Sequence, residues 1–480
     1  MTPNKPNILL ITTDQQRFDT IAALGNEHIH TPHLDWLTDE GFTFTRCYAD
    51  SPICMPSRAT IMVGKHGYTT GLTGNSNNIM PMAVNPTLPG LLTQAGYQTR
   101  AQGKMHFHPM RANYGFEHME LPMDYHRERH RRGHEGLPKE HGVGENETDP
   151  VISTVDETHS LTHWTIAQSI DFIETRDETR PFFLWTSFTK PHPPFDPCAN
   201  YWALYANRSV PEPAMGDWSS IVEKTPQGFL QPTYMLTNVY RSSAEKIRDM
   251  RRAYYACITQ IDYQLGLLFA RLRELNLLEN TWIIFTSDHG DMQGDHHMGC
   301  KTVFLEGSAH VPLIVRPPAA AWDKKPHGGS RVSSLTTLAD IMPTILRIAG
   351  VEVPADLDGV DLMSLTDKAA PDRTFYGSCA NQMYAVIEGP LKYTWTSIGG
   401  GELLFNLSED PYEKRNLATD EKRRGELEAM RGKMIEWMRK TNCKWLQNGK
   451  LEPGPAIRGP QEVTKWPGFH STVFNSDVLH

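Results

Sequence analysis

The chain has 480 residues, 39% of them hydrophobic and 21% charged. That balance excludes a disordered or collagen-like chain and leaves two or three domains, or one large α/β unit with an appendage. A formal net charge of −9 argues against non-specific nucleic-acid binding, and no stretch approaches the roughly 20 apolar residues of a membrane helix. The seven cysteines (Cys47, Cys54, Cys198, Cys257, Cys300, Cys379 and Cys443) are odd in number, widely spaced and without a CxxC pair. This is neither a disulfide framework nor a zinc knuckle. No basic segment followed by an apolar stretch precedes the first apolar run, so the compartment reads as cytoplasmic, or periplasmic or secreted if a leader has been removed.

In chain order, Asn7–Asp14 is a continuous apolar run ending in acid, as expected of a strand covered on both faces. A helix is predicted over Leu161–Arg176 and a second buried strand over Pro181–Phe188. A long amphipathic helix is predicted over Ala244–Leu278, where Ile247, Met250, Tyr254, Ile258, Ile261, Leu265, Leu268 and Leu272 recur at helical spacing. Strands over Thr281–Asp288 and Val311–Val315 follow. Thr366–Arg373 has the composition of a linker. Beyond it come hairpin-like strands at Thr374–Tyr376, Met383–Ile387, Leu391–Thr396 and Glu402–Asn406, then a helix with Leu427, Met430, Met434, Trp437 and Met438 on one face, then an irregular Pro/Gly-rich tail from about Gly449. The fold class expected is α/β: a central, mostly parallel sheet flanked by helices, with a small C-terminal antiparallel sheet and a helix. The division expected is a main domain over 1–365 and an α+β subdomain with its tail over 366–480.

Two of these strands end in acid, Asp14 followed by Gln15 and Asp288 followed by His289. Ligand sites of open α/β sheets lie beyond the carboxyl ends of the strands. Two carboxylates, an imidazole and an amide oxygen arriving there suit a divalent cation, although each acid alone is more often a helix cap. Cys54-Met-Pro-Ser-Arg58 enters an apparent helix, and a thiol at a helix N-terminus is acidified and faces an anion site.

The C-x-P-S-R pentapeptide resembles the recognition sequence of the type I sulfatases, members of the alkaline phosphatase superfamily. Further motifs in family order extend the resemblance over about 400 residues: Pro6-Asn-Ile-Leu-Leu-Ile-Thr-Thr-Asp-Gln-Gln-Arg17, Thr31-Pro-His-Leu-Asp35, Gly103-Lys-Met-His106, Lys190-Pro-His-Pro-Pro-Phe195, Ser287-Asp-His-Gly-Asp291, Lys301 with Phe304–Leu313, and Leu404–Ala418. The resemblance implies an alkaline-phosphatase-like sandwich with a catalytic domain over 1–365. It also implies oxidation of Cys54 to formylglycine by a maturation enzyme, and hydrolysis of an organic sulfate ester of a sugar, an aryl group or a small alkyl group. One hydroxyl of the hydrated aldehyde attacks sulfur and the other expels the sulfate. The cation, Ca²⁺ first with Mn²⁺ or Zn²⁺ open, is expected on Asp14, Gln15, residue 54, Asp288 and His289.

Catalytic roles are expected for Cys54, Arg58, Lys104, His106, His192 and Lys301. Arg58 stabilises the diol and the metal ligands, while Lys104 and Lys301 face the sulfuryl oxygens. His192 or Lys301 protonates the departing alcohol and His106 drives elimination. Asn75 is expected to bind substrate. Many sulfatases open with a double Asp. Here Asp14-Gln15 occurs instead, as in choline-sulfatase-like and phosphonate monoester hydrolase-like relatives, and His310 stands where an Arg is common. A phosphonate monoester or phosphodiester hydrolase with the same nucleophile is therefore the competing enzyme class, and a metal-supported binding protein with unmodified Cys54 the non-enzymatic one.

The segment His106–His141, with seven histidines and the run Arg127–Arg132, is a solvated face or a lip attracting anionic substrates. Aromatics over Phe195–Tyr205 would make a wall for a sugar or aryl ring. A homo-oligomer through the aromatic C-terminal tail stays open. No nucleic-acid or membrane partner is expected.

Overall fold

The computed structural model describes residues 5–76, 80–131, 146–226, 228–230, 237, 239–318, 329–366 and 372–455. In chain order its principal strands are β1 (Asn7–Asp14), β2 (Phe42–Phe44), β3 (Cys47–Tyr48), β4 (Gln98–Gly103), β5 (His118–Glu120), β6 (Phe182–Pro191), β7 (Thr281–Ser287), β8 (His310–Val311), β9 (Leu313–Arg316), β10 (Ser330–Val332), β11 (Thr336–Thr337), β12 (Thr374–Cys379), β13 (Met383–Glu388), β14 (Leu391–Thr396) and β15 (Glu402–Asn406). Eight form one sheet in the order β10-β2-β9-β7-β1-β6-β4-β5. Strands β7, β1, β6, β4 and β5 run parallel, as do β2 and β10, while β9 alone runs against its neighbours β7 and β2.

All eight residues of β1 are buried, and the alternation of side chains explains why its apolar run is continuous. Ile8 and Leu10 face one way, onto Phe183, Trp185, Ile284, the helix Cys54–Val63 and the helix Ile341–Ile348. Leu9 and Ile11 face the other way, onto Phe182, Leu184, Phe285 and the helices Leu161–Thr175 and Ala244–Glu274. All eight periodic positions singled out on the longest helix are buried. That helix stops at Glu274, four residues before the expected Leu278, and Asn276 takes a left-handed φ of 54°.

The sheet departs from the sequence reading in two places. The expected strand Val311–Val315 is split, because Pro312 has no N–H to give a ladder. Strand β8 pairs with β3 in a separate three-stranded sheet and β9 returns to the main one. Strand β4 was not expected, since Gln98, Thr99, Arg100 and Gln102 lack an apolar pattern; it pairs with β6 one strand from the sheet edge.

Strands β12 to β15 form an antiparallel meander in sequence order. One face packs Tyr384, Val386, Tyr393, Trp395 and Leu404 under the helix Arg424–Lys440 through Leu427, Met430, Met434, Trp437 and Met438. The other packs Phe375, Met383, Ala385, Leu403 and Phe405 on Phe304, Leu305 and Ala309. Fully buried Lys392 joins the two parts by ion pairs to Glu306 and to Glu413, the latter at 2.8 Å. The linker reading falls largely on residues 367–371, which lie outside the described residues. The tail from Gly449 is not irregular at its start, where Lys450–Leu451 pairs with Leu446–Gln447. Residues 456–480, including the interface reading, lie outside the described residues.

Candidate active site

Pairing register brings the reactive side chains together. β1 and β7 run in step from Asn7 opposite Thr281 to Thr13 opposite Ser287, so Asp14 and Asp288 leave the sheet side by side. On the other edge of β1, Asp14 lies opposite Pro191, which delivers His192. Gly103 lies opposite Ser187 on β6, which delivers Lys104 and His106 to the same end. Gly103 has a φ of 92°, and a Cβ there would sit 2.0 Å from the Ser187 carbonyl oxygen; only glycine fits this turn. The helix Cys54–Val63 points its N-terminus into the cluster, and Lys301 enters from the loop after β7.

The thiol of Cys54 lies at the centre. Its Sγ is 3.2 Å from His289 Nε2, 3.5 Å from Lys301 Nζ and 3.8 Å from Asp14 Oδ1. Burial and the Asp14 carboxylate oppose its ionisation, but Lys301, Lys104 and His289 outweigh them and bring the thiol down to about 6. Arg58, also fully buried, donates from Nε to Asp288 Oδ2 at 3.0 Å and from Nη2 to Asp14 Oδ2 at 3.2 Å. Its remaining nitrogen donates to Ser187 Oγ at 2.7 Å. Lys104 Nζ is 2.8 Å from Asp14 Oδ2. Burial would raise the Asp14 carboxyl, yet Lys104, His192, Arg58 and Lys301 hold it well below the usual range. Asp288 goes the other way, to about 6, through burial and the neighbouring Asp14 charge. His106 is brought down to about 3 by burial and Lys104. It is therefore a neutral imidazole, and its buried Nδ1 has no partner among the described residues.

The donor set fits a divalent cation. Asp14, Cys54, Asp288 and His289 each offer an atom within 4.8 Å of the others, all buried. His289 Nδ1 donates to the Gly290 carbonyl at 2.9 Å, which turns the Nε2 lone pair inward, as second-layer hydrogen bonds do for metal-bound imidazoles. Gln15 is adjacent and buried, but its Oε1 accepts from Lys301 Nζ at 2.6 Å and its Nε2 donates to Asp291 Oδ2. Asn75 lies at the mouth and its Oδ1 accepts from the Met55 amide at 3.2 Å. The eleven predicted site residues thus converge on one end of the sheet.

Sequence reasoning missed one participant, Ser187, and left a second, Asp291, between a helix cap and a ligand-orienting group, outside the metal set. Neither a serine inside a strand nor an acid three residues after another carries a signal without the register. The aromatic wall is corrected: Phe195, Tyr201 and Tyr205 are buried against Tyr254 and Tyr255 of the long helix as core. Of the histidine-rich segment His106–His141, residues 132–141 lie outside the described residues. In its described part, Tyr125 is buried and Glu128 accepts from Trp164 Nε1 at 2.9 Å.

The sulfatase family model matches residues 6–351, and the model for the C-terminal region of N-sulphoglucosamine sulphohydrolase matches residues 294–440. The chain belongs to the sulfatase family. An arylsulfatase of Clostridium perfringens is 32% identical over 94% of this chain and 98% of its own length. A choline-sulfatase of Rhizobium meliloti is 32% identical over 87% of this chain and 83% of its own. Among solved structures, a phosphonate monoester hydrolase of Agrobacterium radiobacter superimposes with a TM-score of 0.78 over 95% of this chain and all of its own, at 24% identity. This sulfatase is a sulfuric ester hydrolase with the alkaline-phosphatase-like fold.

Proposed function

We propose that this sulfatase hydrolyses a small or saccharide sulfate ester with residue 54, matured to formylglycine, as nucleophile beside one divalent cation. The observation that carries the reading is the position of Cys54 Sγ, within 3.8 Å of an imidazole, an ammonium and a carboxylate at the mouth of a helix. When present, the aldehyde hydrate supplies paired hydroxyls and the cation supplies Lewis acidity. Asp14, Asp288, His289 and residue 54 hold the cation, with Gln15 at their edge. Carboxylate-rich sites favour Ca²⁺, while the imidazole admits Mn²⁺ or Zn²⁺; recovery of activity by chelated protein with each ion separates them.

The remaining residues act on charge and protons. Arg58 fixes the two carboxylates in place and neutralises part of their charge. Lys104 and Lys301 direct ammonium groups at the oxygens of the transferring group, where preorganised charge is usually the largest catalytic contribution. His192 is close enough to Asp14 to lower its pKa and donates from Nδ1 to the Pro193 carbonyl, 2.7 Å away. The ring is thereby oriented to protonate the leaving alcohol, with Lys301 as the other acid. Neutral His106 takes a proton from the second hydroxyl. Asn75 orients the substrate at the mouth. Maturation needs a formylglycine-generating enzyme as partner. The proposed division places this machinery in 1–365 and the meander with its tail in 366–480.

Gln15 after Asp14, where many sulfatases carry a second Asp, keeps the phosphonate reading in view. Side-by-side turnover of 4-nitrophenyl sulfate and phenyl phosphonate esters decides between them. A kcat/KM higher for the sulfate supports the proposal, and a large preference for the phosphonate contradicts it.

A further inference from the structure

Asp291 receives hydrogen bonds at both carboxylate oxygens. Oδ1 accepts from the Gln293 and Cys300 amides at 2.8 and 3.1 Å, and Oδ2 accepts from Gln15 Nε2. At the far end of the same amide, Gln15 Oε1 accepts from Lys301 Nζ at 2.6 Å, and that ammonium lies 3.5 Å from Cys54 Sγ. Asp291, Gln15 and Lys301 are 1, 0 and 2% exposed, so water does not replace these bonds.

A glutamine amide has one accepting and one donating end. Here its neighbours are acceptor-only on one side and donor-only on the other. Turning it over would set oxygen against carboxylate and NH₂ against ammonium, two repulsions in a low-dielectric interior where unpaired polar groups are costly. The backbone does not choose the amide orientation; it only brings Gln15 in with a left-handed φ of 72° and anchors its N–H on Asp288 Oδ1 at 3.0 Å.

We infer that Asp291 is a positioning residue: it fixes the Gln15 amide so that its oxygen holds Lys301 against residue 54. The acid missing from the position after Asp14 is thus present one step further out, acting through a neutral amide. The inference rests on residue 54 being the nucleophile, and it deepens that reading by naming what orients one of its cations.

The test is a double-mutant cycle on matured protein with 4-nitrophenyl sulfate. In Asp291→Asn the amide oxygen keeps both backbone N–H groups and NH₂ faces Gln15, which forces the clash. In Gln15→Glu two carboxylates meet. In the double variant, NH₂ donates to the new carboxylate, whose other oxygen accepts from Lys301, and total charge is unchanged. Each single variant is expected to lose about 10- to 100-fold in kcat with KM within about threefold, the scale of a misplaced catalytic group. The double variant is expected to exceed either single by about tenfold. Asp291→Asn within about twofold of wild type, or a folded double variant no better than the singles, overturns the inference. If wild type does not turn over the sulfate at all, the functional reading fails on its own account. Calorimetric titration of chelated wild type and Asp291→Asn with Mn²⁺ and Ca²⁺ then decides. An ammonium released from Gln15 against the cation donors should weaken binding about tenfold, and equal affinities overturn the inference.

Discussion

Arg58 holds both carboxylates of the cluster with one guanidinium, and all three groups are buried. Two adjacent buried anions are costly unless compensated. Arg58→Ala should therefore lower stability in cation-free buffer by about 3–5 kcal/mol, the range for breaking a buried pair, as read by urea unfolding. Arg58→Lys should recover only part of this, since a point charge cannot serve two carboxylates at once. Excess divalent cation should narrow both gaps, because it resupplies positive charge to the native state alone; an unchanged gap would count against the carboxylate pair as the cation site. Cys54→Ala should lose at least about a thousandfold in kcat while unfolding at an unchanged urea midpoint. The identities of these residues were legible in the sequence through short motifs whose chemistry is specific. The bonds among them were not. Gln15 was read as an amide oxygen for the cation, and nothing in the sequence shows that this oxygen also meets Lys301 or what the Asp291 carboxylate touches.

At the level of elements, the site follows from strand register. β1 in step with β7 brings Asp14 beside Asp288, and β4 in step with β6 places Lys104 at the same end. Gly103→Ala should disturb that end directly, since its Cβ would meet the Ser187 carbonyl carried by β6. The expected outcome is about 1–3 kcal/mol lower stability and a larger loss of kcat than of KM. A neutral result would show that the turn can relax. A second element-scale tie is Asp295, which pairs with Arg17 at 2.8 Å and with Arg251 of the long helix. Burial raises its carboxyl, but Arg17 and Arg251 prevail and bring it down to about 2, below the ordinary value of about 3.9. A depressed carboxylate contributes stability above its unfolded pKa and loses it as pH falls through the folded one. Its contribution should therefore disappear between about pH 4 and pH 2, and the acid limb of thermal stability should be flatter in Asp295→Asn over that window. β1, β6 and β7 were legible as apolar runs because helices cover both faces. β4 was not, because its polar sequence gains its strand conformation from β6, and Val311–Val315 was misread because the run hides what Pro312 does to pairing.

Over the whole molecule, the C-terminal meander is fastened to the segment Phe304–Ala309 by one apolar face and by Lys392. This lysine is buried between Glu306 and Glu413 and raised in pKa by them against burial. Lys392→Met should leave two carboxylates facing each other and cost about 3–5 kcal/mol, visible as a lower urea midpoint. If the midpoint were unchanged, the fastening would be apolar only. The antiparallel texture of this part was legible from the turns between its short strands. Its seat on Phe304, Leu305 and Ala309 was not, because long-range packing of a sheet leaves no periodic mark on its partner.

The central claim, that residue 54 acts as formylglycine, is tested most directly by the mass of the Cys54 peptide from active protein made with its maturation enzyme. The account predicts a thiol-to-aldehyde mass change that a hydrazide traps, in proportion to specific activity. An unmodified thiol in fully active protein would contradict it.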